Sequence, residues 1–359
     1  MHTTEPIDTL TASAVALLQD LIRTPSISRE EADTAQILFQ YLQAKGKEVH
    51  SKGNNVWVYS QEYHSEWPTI LLNSHHDTVK PSASWTRDPF QPLVRRGKLF
   101  GLGSNDAGGP LVALLHAFLF LDDLPQRGYN LVFAATAEEE VSGHQGIAAI
   151  IDELGEIALG IVGEPTEMQM AVAEKGLMVL DCEARGLSGH AARKEGVNAI
   201  YAAIQDITWI KEFHFPDKSD LLGEVSMTVT QIDAGTQHNV VPDRCTFVVD
   251  VRTNEMYAND QVLQIVDHNT ISQVTPRSLR LNSSSIPLDH PLVQRGIDLG
   301  LRTYGSPTLS DQALMKGFPT LKIGPGKSER SHTADEYIKI EEIQHGISTY
   351  CQLLDGLQL

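Results

Sequence analysis

At 359 residues, 41% of them hydrophobic, the chain is long enough for two domains and for a core that needs no disulfide staples. Its 28 Lys and Arg stand against 46 Asp and Glu, a formal charge of -18, which argues against a broad phosphate-binding surface and so against nucleic acid as a partner. Cys182, Cys245 and Cys351 lie far apart without CxxC spacing, and neither a secretory leader in MHTTEPIDTL nor a run of transmembrane length is visible, so a cytoplasmic protein with buried thiols and no membrane contact is expected.

Apolar residues recur at helical spacing through Leu10, Val15, Leu17, Leu18, Leu21 and Ile22, and Thr24-Pro25 ends the pattern. A second amphipathic helix is predicted over 30–44, stopping at Gly46, and strands over 55–60 and 69–73. The second strand is a continuous apolar run of the buried kind, and it delivers Ser74-His75-His76-Asp77. Side chains alternate along an extended segment, so His75 shares a face with Asp77 while His76 points away. In such an H-x-D pair the carboxylate can take the second ring N–H of a metal-bound His and fix its tautomer. His76 reads as an ordinary loop or core histidine.

Residues 97–109, GKLFGLGSNDAGG, form a glycine-rich loop, and Pro110 suits the first position of the apolar helix LVALLHAFLFL. Asp106 sits just ahead of that helix, as its cap or as a ligand. A strand over 129–136 runs into Glu138, Glu139 and Glu140. A helix over 143–154 and a strand over 158–162 follow, the strand ending in Gly163-Glu164-Pro165-Thr166. Alone, Glu164 is a turn residue; as a further acidic strand end it gains interest.

From about Glu174 the pattern changes to a strand (175–185), a helix (197–211), two strands of period-two alternation (224–233 and 245–252), a helix (260–270) and a strand (277–283). That β-α-β-β-α-β order is the split βαβ, ferredoxin-like arrangement. It is read as a domain inserted at 174–284 into one built from 1–173 and 285–359, with connections near 167–174 and 283–285. A helix at 291–304, a strand at 319–323 and a helix at 341–357 complete the first domain, and GPGKSERSHTADEYI with His332 lies between the last two. The fold class is therefore α/β: a mixed, largely parallel sheet flanked by helices, carrying an insertion.

Open α/β sheets place their chemistry at the carboxyl ends of strands. Gathered there are His75, Asp77, Asp106, Glu138 to Glu140 and Glu164, with His332 from the last loop. This nitrogen and oxygen set without thiolate suits Zn, Co or Mn. One bridging carboxylate and two ligands per ion would use five residues, so the carboxylate surplus argues for two divalent ions, about 3.5 to 4 Å apart in sites that activate water and polarise a carbonyl.

SHHDTV, GLGSND, TAEEEVSG, VGEPT and SHTADEY, in this order and spacing, resemble motifs of the dinuclear-zinc amidohydrolases that include acetylornithine deacetylase, succinyl-diaminopimelate desuccinylase, aminoacylase and carboxypeptidase G. The resemblance covers nearly the whole chain. It implies a zinc-peptidase-like catalytic domain in which His75 and Glu164 bind one metal, Glu140 and His332 the other, and Asp106 bridges them. It makes Glu139 the general base, Asp77 the carboxylate behind His75, and Glu138 an acidic neighbour without a direct role. SGHAARKEGVNAI resembles the segment whose His reaches the partner subunit's site, which implies that His190 stabilises an oxyanion and that residues 174–284 form a homodimer. By itself His190 reads as a helix-start or surface residue. HNVVPDRCTFVVDVR puts Asn239 and Arg252 where relatives hold substrate, and a structural salt bridge is the competing role for Arg252.

Departures from the family pattern bear on substrate more than on reaction. Ser74 replaces the usual Gly, Ala107-Gly108-Gly109 lacks a common Lys, and Arg193-Lys194 stands in place of a Pro, where two basic groups could meet an acidic substrate end. The compact length and the GEPT, GHAARKEGVNAI and SHTADEY forms are most similar to deacetylases of N-acetylornithine or N-acetyl-lysine in arginine or lysine biosynthesis. The expected function is thus metal-dependent hydrolysis of a small N-acyl amino acid. The alternatives are a desuccinylase of succinyl-ornithine or succinyl-diaminopimelate, a dipeptidase, and a retired metal- or amino-acid-binding protein, against which the intact Glu139 weighs.

Overall fold

A computed structural model describes residues 6–124, 128–193 and 195–359. In chain order the elements are α1 (Ile7–Arg23), α2 (Ala32–Ala44), β1 (Val49–Lys52), β2 (Asn55–Tyr59), β3 (Thr69–His75), β4 (Leu93–Arg95), β5 (Lys98–Phe100), α3 (Gly109–Asp122), β6 (Asn130–Thr136), α4 (Ile147–Ile150), β7 (Leu159–Val162) and β8 (Met170–Glu174). There follow β9 (Met178–Arg185), β10 (Gly189–His190), α5 (Ala199–Glu212), β11 (Ser226–Ala234), β12 (Val240–Val241), β13 (Arg244–Arg252), α6 (Asn259–Asn269), β14 (Gln273–Pro276) and β15 (Ser284–Ser285). The chain closes with α7 (Pro291–Asp298), β16 (Thr303–Ser306), β17 (Thr320–Lys322), β18 (Tyr337–Lys339) and α8 (Ile340–Leu354).

The chain divides into two compact units, Met1–Val172 with Ser285–Tyr304 and Ser310–Leu359, and Ala173–Ser284 with Gly305–Leu309. In the first, the central sheet runs β1-β2-β6-β3-β7-β17-β8. β3 lies parallel to β6 and β7, and β17 parallel to β7, while β2 and β8 run antiparallel to their neighbours. All seven residues of β3 and of β6 are buried, as strands covered on both faces must be. α3 is apolar all round and almost wholly buried, with α1 and α8 packed against it. The parallel register sets His75 beside Thr136, so neighbouring strands end together and their following loops meet at one edge.

The second unit is the antiparallel sheet β11-β13-β9-β14 with α5 and α6 on one face. Alternate residues of β9 and β13 point inward, where Leu180, Cys182, Phe247 and Val249 meet Ala203, Val262 and Val266 of the helices. The three cysteines are buried and unpaired. Among the described residues, no helix is long and apolar enough to cross a membrane.

Several expectations shift. The connection expected at 167–174 contains β8, whose five residues are all buried in the central sheet. The strand expected at 277–283 lies instead at 273–276, where Pro276 closes the edge strand β14, a position that needs no ladder N–H. The helix expected over 143–154 shrinks to α4 and a short 3₁₀ turn, because Gly146 packs against Ala137, whose carbonyl oxygen would stand 2.2 Å from a Cβ there. α7 stops at Asp298 rather than 304, since Gly300 adopts φ 84 and its N–H closes the helix on the carbonyl of Ile297.

Candidate metal centre and active site

Three parallel strand ends and two loops of the first unit assemble the site. β3 supplies His75, the turn after β6 supplies Glu139 and Glu140, the turn after β7 supplies Glu164, the loop before α3 supplies Asp106, and the loop before β18 supplies His332. His75 Nδ1 donates to the backbone carbonyl of Asp77 at 3.0 Å, with the Asp77 carboxylate 3.3 Å away. That fixes the tautomer and leaves Nε2 bare toward the cluster. Nε2 lies 3.5 Å from Asp106 Oδ1, 3.7 Å from Glu164 Oε1 and 3.8 Å from Glu139 Oε2.

On the other side, His332 Nε2 stands 2.9 Å from Glu140 Oε2 and 3.5 Å from Asp106 Oδ2. The two oxygens of Asp106 therefore face two different imidazoles. Two triads that could hold an ion share His75, one with Glu139 and Glu164 and the other with Asp106 and Glu140, and of the two adjacent glutamates it is Glu140 that pairs with His332.

Asp77 does more than face His75. Its carboxylate accepts the backbone N–H of Glu139 at 3.1 Å and of Glu140 at 3.2 Å, and the Ser28 hydroxyl at 2.7 Å. The acidic turn, with Glu138 at φ 55, is thereby tied to the strand that carries the histidine. Glu138 itself accepts the Gln145 N–H, away from the cluster. His76 is buried off the site, between the Thr34 hydroxyl and the Asn54 carbonyl, and burial lowers its proton affinity. Asp106 caps no helix; its own N–H is taken by Glu336.

Burial opposes charge on His75, yet Glu139, Asp106, Asp77 and Glu164 together raise its pKa well above the ordinary value. Burial likewise lifts Glu139 well above the carboxylate range and Glu164 to about 8, while Glu140 beside it raises His332 to about 9. Negative charge is crowded here beyond what two imidazoles neutralise. His75 Nε2 and Glu164 Oε1 are buried without a hydrogen-bond partner among the described residues, although buried polar atoms are ordinarily paired. Bare donors and surplus carboxylate are what divalent cations satisfy, so the residues present fit a metal centre.

Sequence spacing missed three contributors. Asp311 lies buried beneath the cluster, bonded to Asn73 at 2.9 Å and Thr136 at 2.8 Å, and burial raises it to about 6. Glu336 and Asn105 hold loop backbone. A carboxylate four residues after the SHTADEY histidine was the available signal for Glu336; nothing in spacing marks Asp311.

His190, Asn239 and Arg252 belong to the second unit. His190 and Asn239 lie exposed on the β10/β12 ribbon, where Asn239 accepts the Ala191 N–H. Arg252 forms a two-pronged bond with Asp250 at 2.8 and 3.1 Å, so the Nε edge of its guanidinium is taken by a structural partner. Arg193 is exposed and Lys194 lies outside the described residues.

A mixed α/β sheet that delivers a His and carboxylate set to its strand ends is the scaffold of a metal-dependent hydrolase. The profile of peptidase family M20/M25/M40 matches residues 71–356, and the chain belongs to that family. The fold is shared with aminopeptidase PepT from Bacillus cereus (TM-score 0.76, 19% identity, 96% of this chain and 98% of that one). It is shared also with an M20 metallo-carboxypeptidase from Sulfolobus solfataricus (0.74, 16%, 95% and 98%) and with the Bacillus subtilis YXEP protein, described as a dinuclear metal binding peptidase (0.74, 16%, 97% and 98%).

Proposed function

We propose that the protein removes the acyl group of a small N-acyl amino acid, N-acetylornithine or N-acetyl-lysine, in the cytoplasm, with two zinc ions held by His75 and Glu164 on one side, Glu140 and His332 on the other, and Asp106 between. The observation that carries the two-ion site is the pair of Asp106 oxygens, each 3.5 Å from a different imidazole Nε2, and the acyl substrate is supported by the motif resemblance alone. Bound divalent ions supply Lewis acidity toward the amide carbonyl and acidify water.

Glu139 is the proton carrier. Its carboxylate lies beside His75 but outside the pair of Glu140 and His332, and burial raises its proton affinity well above that of an ordinary carboxylate. It takes the proton of the attacking water and returns it to the departing amine nitrogen. Asp77 keeps Glu139 and Glu140 in register by holding their N–H groups. His190 would stabilise the oxyanion and Asn239 would bind the substrate; Arg252, held along its Nε edge by Asp250, would offer its remaining Nη N–H groups.

A homodimer through the second unit is supported by its outer edge. β11 ends the sheet, and Ile232 on it together with Tyr201 and Ile204 on α5 are 57%, 72% and 50% exposed. Dipeptide hydrolysis is the second reading, favoured by the peptidases that share the fold. An assay of the zinc- or cobalt-loaded enzyme against acetylornithine, acetyl-lysine, acetylcitrulline, succinyl-ornithine, succinyl-diaminopimelate and a dipeptide decides among them. Turnover of an acetyl substrate is expected; hydrolysis of the dipeptide alone would replace the reading with the second one.

A further inference from the structure

Four residues beyond His332, a second carboxylate is buried with its oxygens turned to backbone N–H groups. Glu336 is 2% exposed. Its Oε1 accepts the N–H of Asn105 at 2.7 Å and of Asp106 at 3.0 Å, and its Oε2 accepts the N–H of Gly103 at 3.1 Å. The backbone carbonyl of Glu336 also receives the Gly101 N–H at 3.1 Å. Burial and the Asp106 charge push the Glu336 carboxyl up to about 8, while the three N–H groups favour its ionised form, to which such bonds are about twice as strong as neutral ones.

Asn105 closes the same assembly from the other side. Its Nδ2 donates to the Lys327 carbonyl at 2.9 Å, and its Oδ1 accepts the Lys327 N–H at 2.9 Å. Gly326 permits this approach, since it sits at φ 92 and a Cβ there would stand 2.5 Å from Asn105 Oδ1. The loop that presents Asp106 and the loop that presents His332 are thus clamped to each other at both ends. None of these bonds reaches the Asp106 or His332 side chain.

We propose that Glu336 is a positioning residue for the metal site: it fixes the backbone of Asp106 so that the two oxygens of that carboxylate face the His75 and His332 imidazoles, and with Asn105 it holds the His332 loop against the Asp106 loop. This rests on the reading of Asp106 and His332 as metal ligands. Side chains that orient ligands without touching the metal typically govern affinity by about 10 to 100-fold.

Apoproteins of the wild type, Glu336→Ala and Glu336→Gln, titrated with Co²⁺ by calorimetry alongside thermal unfolding of each apoprotein, test the proposal. Glu336→Ala removes every side-chain acceptor and is expected to weaken cobalt binding by about 10 to 100-fold. Glu336→Gln keeps one oxygen for Asn105 and Asp106 but turns an NH₂ group against the Gly103 N–H, and about a tenfold loss is expected. Should the Ala variant fail to fold, the isosteric Gln variant decides. Wild-type cobalt affinity in the folded variants, with or without a lower apo melting temperature, would overturn the positioning role alone. A wild type that binds no cobalt would overturn the site reading, and this proposal with it.

Discussion

Asp77 is the residue on which base and ligand depend together. It stands behind His75 and accepts the N–H groups of Glu139 and Glu140, so its removal would free both halves of the site at once. Asp77→Ala is expected to weaken metal binding by about 10 to 100-fold, and to cost about 1 to 3 kcal/mol of stability because buried N–H donors lose their acceptor. Metal titration and denaturant unfolding would check the two effects separately. The pairing of His75 with Asp77 was legible, because alternation on a strand fixes which of two adjacent histidines shares the carboxylate's face. The grip of Asp77 on the acidic turn was not, because backbone N–H groups more than sixty positions away leave no mark in local pattern. For the same reason Asp311 and Glu336 went unread.

At the scale of elements, long periodic or continuously apolar segments were legible and short ones were not. β3, β6 and α3 announce themselves because burial on all sides demands unbroken apolar runs. β8 follows a turn and starts the passage between units, so its MAVAE reads as connection until β17 is seen beside it. α3 also carries a buried polar chain. His116 Nδ1 donates to the Val112 carbonyl at 2.7 Å, so Nε2 accepts from the Tyr41 hydroxyl at 2.7 Å. Burial lowers the His116 pKa to about 4. An unfolded chain takes up that proton near pH 6.5 while the folded one does not, so stability falls as pH drops from about 6.5 toward 4. Replacing His116 by Gln should flatten that part of the stability profile, measured by urea unfolding between pH 7 and 4; an unchanged slope would show that other groups set it.

At the scale of the molecule, two compact units, an α/β class and a candidate strand-end metal site follow from the order of five motifs and the change of pattern near residue 174. The substrate does not follow, since the second unit presents its candidate groups on an exposed ribbon and a paired arginine. Dimerisation is tested by Ile232→Lys or Tyr201→Glu, which place charge on exposed apolar positions. Light scattering should show a monomer with retained secondary structure and a large loss of turnover, and full activity in such a monomer would contradict a role for His190 across the interface. In the proposed mechanism adjacent glutamates divide the work, Glu140 holding metal and Glu139 moving the proton. Glu139→Gln tests it most directly, by metal content and turnover on the same sample. Two bound ions with activity reduced by about 10² to 10⁴-fold or more are predicted; surviving turnover, or loss of a metal ion, would contradict the division.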